Sequence, residues 1–110
     1  MALALNVFQT VTATVSLSAT EIYTAPVGYT GVVLLAQVAN IGTTSEDVTL
    51  THRRSGTDTE IVKNLAIPAS DTANLLPGKL VIETGDTLTM VGSNATDLKF
   101  LSSILETSNL

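Results

Sequence analysis

The sequence has 110 residues, enough for one domain with a real core but too few for a core and a second catalytic domain. Only 14% of the residues are charged, and the formal net charge is -5. This balance argues against a nucleic-acid partner, and the absence of cysteine excludes disulfides, thiolate zinc sites and a cysteine nucleophile. A surface covered mainly by Thr, Ser, Asn and Ala suits contact with other protein.

The first eight residues are apolar except for Asn6, but they lack the basic segment of a signal peptide. No run approaches the ~18 apolar residues of a membrane span, so we expect synthesis in a cytoplasm and no membrane partner. We predict that residues 1–8 form an arm that docks on a neighbouring chain, and that residues 9–110 form a single domain. The candidate contact residues of this arm are Leu3, Leu5, Val7 and Phe8.

The first half of the domain is predicted to contain three strands. Residues 7–17 alternate apolar residues with Thr and Ser, which predicts a long strand with one buried face. A short strand over 21–24 leads to a Pro-Gly turn at 26–28. The next strand, 31–41, is apolar in both alternating sets except for Gln37, and such a strand must be covered on both faces. A buried helix is the competing interpretation, but the β-branched start and the flanking Gly residues favour a strand.

A hairpin follows the loop at 42–45. Its first strand is half-buried and ends near the tip at 55–58. On the returning strand, the alternation places Ile61, Leu65 and Ile67 on one face and Val62 on the other. The alternation places Lys63 on the apolar face of this strand. We expect its charge to prevent aggregation at the edge of a sheet, or its charged end to extend into solvent.

Three short strands and a long closing strand over 97–107 follow Pro68, separated by two Gly turns and by the loop at 92–96. Eight or nine short strands, with no βαβ spacing and no helix of useful length, predict an all-β fold. The expected architecture is a two-sheet antiparallel β-sandwich of jelly-roll or immunoglobulin-like topology, and a small barrel is the alternative.

No pattern in the sequence predicts catalysis, a cofactor or a metal site. His52 is the only histidine, and we interpret it as an ordinary strand-end residue. The acidic residues Glu46-Asp47, Glu83 and Asp86 flank turns, but no Trp or aromatic cluster supplies a platform for a sugar substrate. Asp71 lacks the ligand run of a calcium loop. We therefore predict a protein that is not an enzyme.

Exposed loops at the ends of the sandwich are the candidate contact points. The hairpin tip carries the only concentrated positive charge, Arg53 and Arg54, which either docks against an acidic neighbour or is simply solvated. The loops at 42–45 and 92–96 add Thr43, Thr44 and Asn94 as candidate partner-binding residues.

Several turn-and-strand segments resemble small virion structural proteins of tailed bacteriophages. The segments are IYTAPVGYTGVVL at 22–34, VAN at 38–40, LAIPA at 65–69, GKLVIETGDTL at 78–88 and LE at 105–106. The resemblance implies a non-enzymatic sandwich that binds a major capsid, neck or tail protein, often as a symmetric oligomer. It implies a virion location after synthesis in the host cytoplasm, with capsid decoration or cement preferred over a neck or tail role.

The alternative function is a carbohydrate-binding or adhesin-like module with the same sandwich. The lack of Trp counts against it, because rings usually stack on sugars. The doubly apolar strand and the charge-poor surface also predict a homo-oligomer, a trimer or a ring rather than a monomer.

Overall fold

The computed structural model describes residues 5–109, which form nine strands and no helix. The all-β, two-sheet antiparallel sandwich expected from the sequence is confirmed. The strands are β1 (Asn6–Thr14), β2 (Thr20–Thr24), β3 (Tyr29–Asn40), β4 (Glu46–Arg54), β5 (Thr57–Ile67), β6 (Thr72–Asn74), β7 (Leu80–Ile82), β8 (Thr87–Gly92) and β9 (Leu98–Ser108).

The strand order decides between the two predicted topologies. Sheet A has the order β1-β9-β3-β6, with β7 pairing the other half of the same edge of β3, and sheet B has the order β2-β8-β4-β5. The first and last strands are neighbours, and the chain passes between the sheets at every step except the β4–β5 hairpin and the β6–β7 connection. This is the double Greek key of a jelly roll.

The core lies between the two sheets and is built by alternate residues. Strand β9 contributes Leu98, Phe100 and Ile104, and β3 contributes Val33 and Val38, all of them buried. Burying a side chain of this size stabilises a fold by about 1.5–3 kcal/mol. The facing side chains of sheet B are Val48, Leu50, Ile67, Leu88 and Met90.

Strand β1 begins inside the segment predicted to form an arm. Asn6 pairs with Thr107, Val7 with Glu106 and Phe8 with Leu105, so the alternation of the first strand extends back to residue 6. The structure thus places residues 6–8 in sheet A. Residues 1–4 of the predicted arm, Leu3 among them, lie outside the described residues.

The face predicted for Val62 is wrong. Val62 pairs with Leu50 and packs against the core together with Leu65. The ladder between β4 and β5 shifts register twice, and Asn64 takes the left-handed conformation with φ of 50°. An extra residue in one strand moves the following side chains to the opposite face, which simple alternation cannot anticipate.

Candidate assembly interface

The outer face of sheet A carries a continuous apolar row across four strands. Phe8 on β1 lies opposite Leu105 on β9, which lies opposite Val32 on β3, which lies opposite Val81 on β7. Phe8 is 74% exposed and Val81 52% exposed. Directly opposed side chains on one face contact each other, so these four residues, here called the apolar row, form one surface feature.

A bulge in β3 enlarges this surface. The register of β3 against β9 shifts between Val33 and Leu35, and the extra residue, Leu34, is 39% exposed. A depression of about 410 Å³ lies between Phe8 and Leu34. A second depression, of about 530 Å³, lies farther along the same sheet and is lined by Thr12, Ala13, Thr14, Gln37, Ala39, Lys99, Phe100 and Leu101. The outer face of sheet A therefore offers a concave surface to a partner, and this surface is mostly apolar near Phe8 and Leu34.

Charge is distributed very unevenly between the two sheets. Among the outward-facing strand residues described for sheet A, Lys99 is the one charged side chain. The strands of sheet B carry Glu21, Glu46, Asp47, Arg53, Arg54, Asp58, Glu60 and Lys63. One side of the molecule is thus suited to water, and the other is suited to contact with protein.

A buried polar contact supports the apolar row from the core side. Glu106, beside Leu105, is only 8% exposed and accepts hydrogen bonds from the Tyr23 hydroxyl at 2.7 Å and from Gln9 Nε2 at 2.8 Å. Burial raises the pKa of Tyr23, and the hydrogen bond and charge of Glu106 raise it further. The phenol therefore remains protonated and able to donate.

An ion-pair cluster lies next to the tip of the β4–β5 hairpin. Arg54 donates to Asp86 from Nε at 2.9 Å and to Glu83 from a terminal nitrogen at 2.7 Å, and His52 Nε2 lies 3.2 Å from Asp86. The hydrogen bond from Arg54 is the main cause that lowers the pKa of Asp86. Arg54 is therefore bound by two carboxylates of the same chain. Arg53 makes a longer contact, at 3.5 Å, with the half-exposed Asp58.

The two predicted contact loops meet at the opposite end of the sandwich. Glu46 accepts hydrogen bonds from Thr44 at 2.8 Å, from Ser93 at 2.7 Å and from Asn94 at 3.2 Å. These bonds lower the pKa of Glu46, with that from Ser93 the largest cause. Thr43 precedes Thr44 in the same loop and is exposed. The loops therefore form one polar surface.

The predicted partner-binding residues do not all come together. Leu5 lies at the end of the sandwich near Ser108, and Phe8 lies on the outer face of sheet A. Val7 is half-buried in β1. Two loops carry Thr43, Thr44 and Asn94, and they lie at the end of β4 opposite the Arg53-Arg54 tip. At the usual rise of an extended strand, the two ends of β4 are about 27 Å apart.

Three residues of the apolar row, Val32, Val81 and Leu105, were not among the predicted sites. The doubly apolar pattern of β3 was the available signal, because it indicates that both faces of the strand need cover. The sequence does not show which neighbouring residues share that face, because this depends on the pairing of β3 with β7 and β9.

Within residues 5–109, no group of three or more His, Asp and Glu side chains is arranged to hold a metal ion. In the same range, no helix is long and apolar enough to cross a membrane.

No protein-family profile matches the sequence, and a comparison with curated proteins finds no significant match. Solved structures share the fold. A protein of the disulfide-linked pili that form Bacillus endospore appendages matches with a TM-score of 0.59 and 17% identity, over 94% of this chain and 86% of that chain. A protein in the acid-stable capsid structure of Helicobacter pylori bacteriophage KHP30 matches with a TM-score of 0.55 and 12% identity, over 94% and 88%.

A pentameric capsid protein isolated from metagenomic phage sequences matches with a TM-score of 0.44 and 20% identity, over 89% of this chain and 60% of that chain. At these identities, the two matches with higher TM-scores show that the chain shares its fold with a protein of a phage capsid structure and with a pilus protein.

Proposed function

We propose that this chain is a non-enzymatic structural protein of a bacteriophage particle, which binds and stabilises a larger capsid, neck or tail assembly as a symmetric oligomer. The observation that carries the proposal is the outer face of sheet A, which has the apolar row and, among its described strand residues, the single charged side chain of Lys99. Phe8 and Val81 are more than half exposed in the single chain. Covering such area contributes about 25 cal/mol per Å², so the surface favours a state in which another protein covers it.

Capsid decoration is placed ahead of a neck or tail role because the fold is shared with a protein of a phage capsid structure. The turn motifs at 22–34 and 78–88 resemble those of phage virion proteins in general, so they support a virion role without favouring one position in the particle. The hairpin tip, the two loops joined by Glu46 and the N-terminal segment remain proposed contact points for other virion proteins.

A subunit of a bacterial appendage is the second candidate, favoured by the fold shared with the Bacillus pilus protein. That protein belongs to pili described as disulfide-linked, and the present sequence has no cysteine. Subunits of this chain would therefore have to associate without covalent links.

The test is a search for the protein in purified particles. We expect mass spectrometry of phage particles from the source organism to find the protein in a constant ratio to the major capsid protein. The control is the same search in surface filaments sheared from the cells. Presence in filaments and absence from particles would reject the virion proposal in favour of the appendage.

A further inference from the structure

We propose that β1 pairs with β1 of a second copy of this chain, antiparallel and about a two-fold axis at Phe8, so that the two A sheets become one continuous sheet. This contact is an interaction surface of the chain itself and does not depend on which assembly contains it. It rests on the chemistry of the sheet edge and on the exposed apolar residues that end there.

The first step concerns the four sheet edges. Strand β5 is blunted by two register shifts and by Asp58, Glu60 and Lys63, and β2 has five residues and a register shift of its own. The third edge is divided between β6 and β7, of three residues each. Strand β1 has nine residues without a charge, Pro, Gly or register shift, and β9 alone pairs with it in sheet A. Such an edge is a ready template for another strand.

The second step gives the direction of the free backbone groups. Ser108 N donates to Leu5 O at 2.8 Å, and Val15 N donates to Leu98 O at 2.9 Å. In an antiparallel ladder, residues that bond to one neighbour alternate with residues that face away from it. The odd-numbered residues of β1 therefore bond to β9, and the even-numbered residues turn their N–H and C=O groups to the free side.

The third step selects the register. A two-fold pair must set even-numbered residues opposite even-numbered ones, and the register centred on Phe8 sets Phe8 opposite its own copy. The apolar row then continues without a break through both molecules. The same register sets Leu5, which is 71% exposed, opposite Val11 of the second copy. Both exposed apolar side chains at the start of β1 thus gain apolar partners.

The contact avoids the charges that would repel a second copy. The chain has a net charge of -5, which opposes self-association, but β1 contributes no charge to the contact. Lys99, opposite Thr14, is six residues along β1 from the axis, about 20 Å at the usual strand rise. The two copies therefore meet without like charges close to each other.

The first measurement is the mass in solution. Sedimentation equilibrium should give a concentration-dependent mass that reaches twice the 11.4 kDa of one chain. This two-fold pair differs from the trimer or ring expected from composition, because it closes on itself. A single-chain mass at every concentration overturns the proposal.

The second measurement uses opposite charges at the axis. Phe8→Lys and Phe8→Glu each place two like-charged side chains side by side, on Cα atoms about 5.5 Å apart, so each variant alone should dimerise at least about tenfold more weakly. An equimolar mixture should recover dimers, because Lys then faces Glu. The matched control is Thr12→Lys, on the same face of β1, whose two copies would stand about 27 Å apart. The register is wrong if the mixture does not recover dimers, or if Thr12→Lys weakens dimerisation as much as the two Phe8 variants do.

The third measurement uses the absence of cysteine from the sequence. Under mild oxidation, Phe8→Cys should form a covalent dimer, because directly opposed Cα atoms about 5.5 Å apart can be bridged. Thr12→Cys should not. Circular dichroism checks that each variant keeps its strands. Equal cross-linking at the two positions, or cross-linking at neither, contradicts the pairing at Phe8.

Discussion

Gly31 is required where it stands because a rigid side chain fills the space above it. A Cβ atom at this position would lie 2.5 Å from the Tyr23 hydroxyl oxygen and 2.9 Å from a ring carbon. Gly31 is also opposite Glu106, the carboxylate that this hydroxyl binds. The glycine therefore allows a buried carboxylate to keep its donor, and the contact joins β2, β3 and β9.

Asp86 is the second buried carboxylate, and its environment makes the stability of the fold depend on pH. Its side chain is 7% exposed and bonds to Arg54 and His52. Arg54 is the first cause that lowers the pKa of Asp86 in the folded chain. Because the folded pKa lies below the unfolded one, this stabilisation is complete above the ordinary Asp pKa of about 4 and is lost as pH falls through the folded value.

Asp86→Asn should lower the free energy of unfolding by about 1.5–3 kcal/mol near neutral pH, because hydrogen bonds to a charged group are lost. The difference between this variant and the parent chain should shrink as the pH falls from about 4 through the lowered folded pKa, because Asp86 is protonated in both states of the parent only below that value. Urea unfolding at the two pH values measures it. Glu83→Gln, at an exposed partner of the same arginine, is the control and should change stability by less than about 0.5 kcal/mol. A difference that is the same at both pH values contradicts the role of the carboxylate charge.

At the scale of elements, the turn motifs noted in the sequence contact one another. Ala25 N donates to Asp86 O at 3.1 Å, and Gly85 N donates to Ala25 O at 3.1 Å, so the two Gly turns before β3 and β8 are joined. Asn40, at the end of β3, is buried and donates to the carbonyls of Thr44 and Ile67. These motifs therefore position turns and carry no chemistry of their own.

Sequence patterns could predict those parts of the fold that depend on neighbouring residues. The doubly apolar β3 and the alternating β1 predict a central strand and a half-buried strand, because each pattern is local. The side-chain faces of β5 could not be predicted in the same way. They depend on Asn64, whose N–H donates to the Thr49 hydroxyl of β4 at 2.9 Å, a contact between residues fifteen apart. The apolar row was missed for a similar reason, since it exists only when four strands pair in one register.

The bulge in β5 should depend on the left-handed conformation of Asn64. Asn64→Val should destabilise the fold by about 1–3 kcal/mol, because a β-branched residue does not tolerate φ of 50°. Asn64→Gly is the matched control. It accepts this φ and keeps the N–H that Thr49 binds, so it should cost less. Thermal unfolding of the two variants ranks them, and a glycine variant less stable than the valine variant would show that backbone strain does not decide this position.

At the scale of the whole molecule, the two sheets face different surroundings. The strands of sheet B hold most of the charged residues, whereas sheet A exposes Thr, Ser and apolar side chains. A sandwich with one concave face that carries little charge would take a defined orientation in the proposed assembly, because that face gains the most free energy when protein replaces water. Edge pairing at β1 uses the rim of this face and leaves its centre available to another partner.

Introducing the same lysine on each of the two sheets tests this orientation directly. Val81→Lys adds a charge to the apolar row, and Ala66→Lys adds the same charge at an exposed position on sheet B. Both sites are solvent-exposed, so thermal unfolding should change little in either variant. Val81→Lys should lower the number of copies per particle, because the ammonium group must lose its hydration when the face is covered. Ala66→Lys should be incorporated like the parent chain.

Copy number can be measured by quantitative mass spectrometry on purified particles that contain the parent chain. Equal incorporation of both variants would mean that sheet A is not the covered face, and a selective loss with Ala66→Lys would transfer the contact to sheet B.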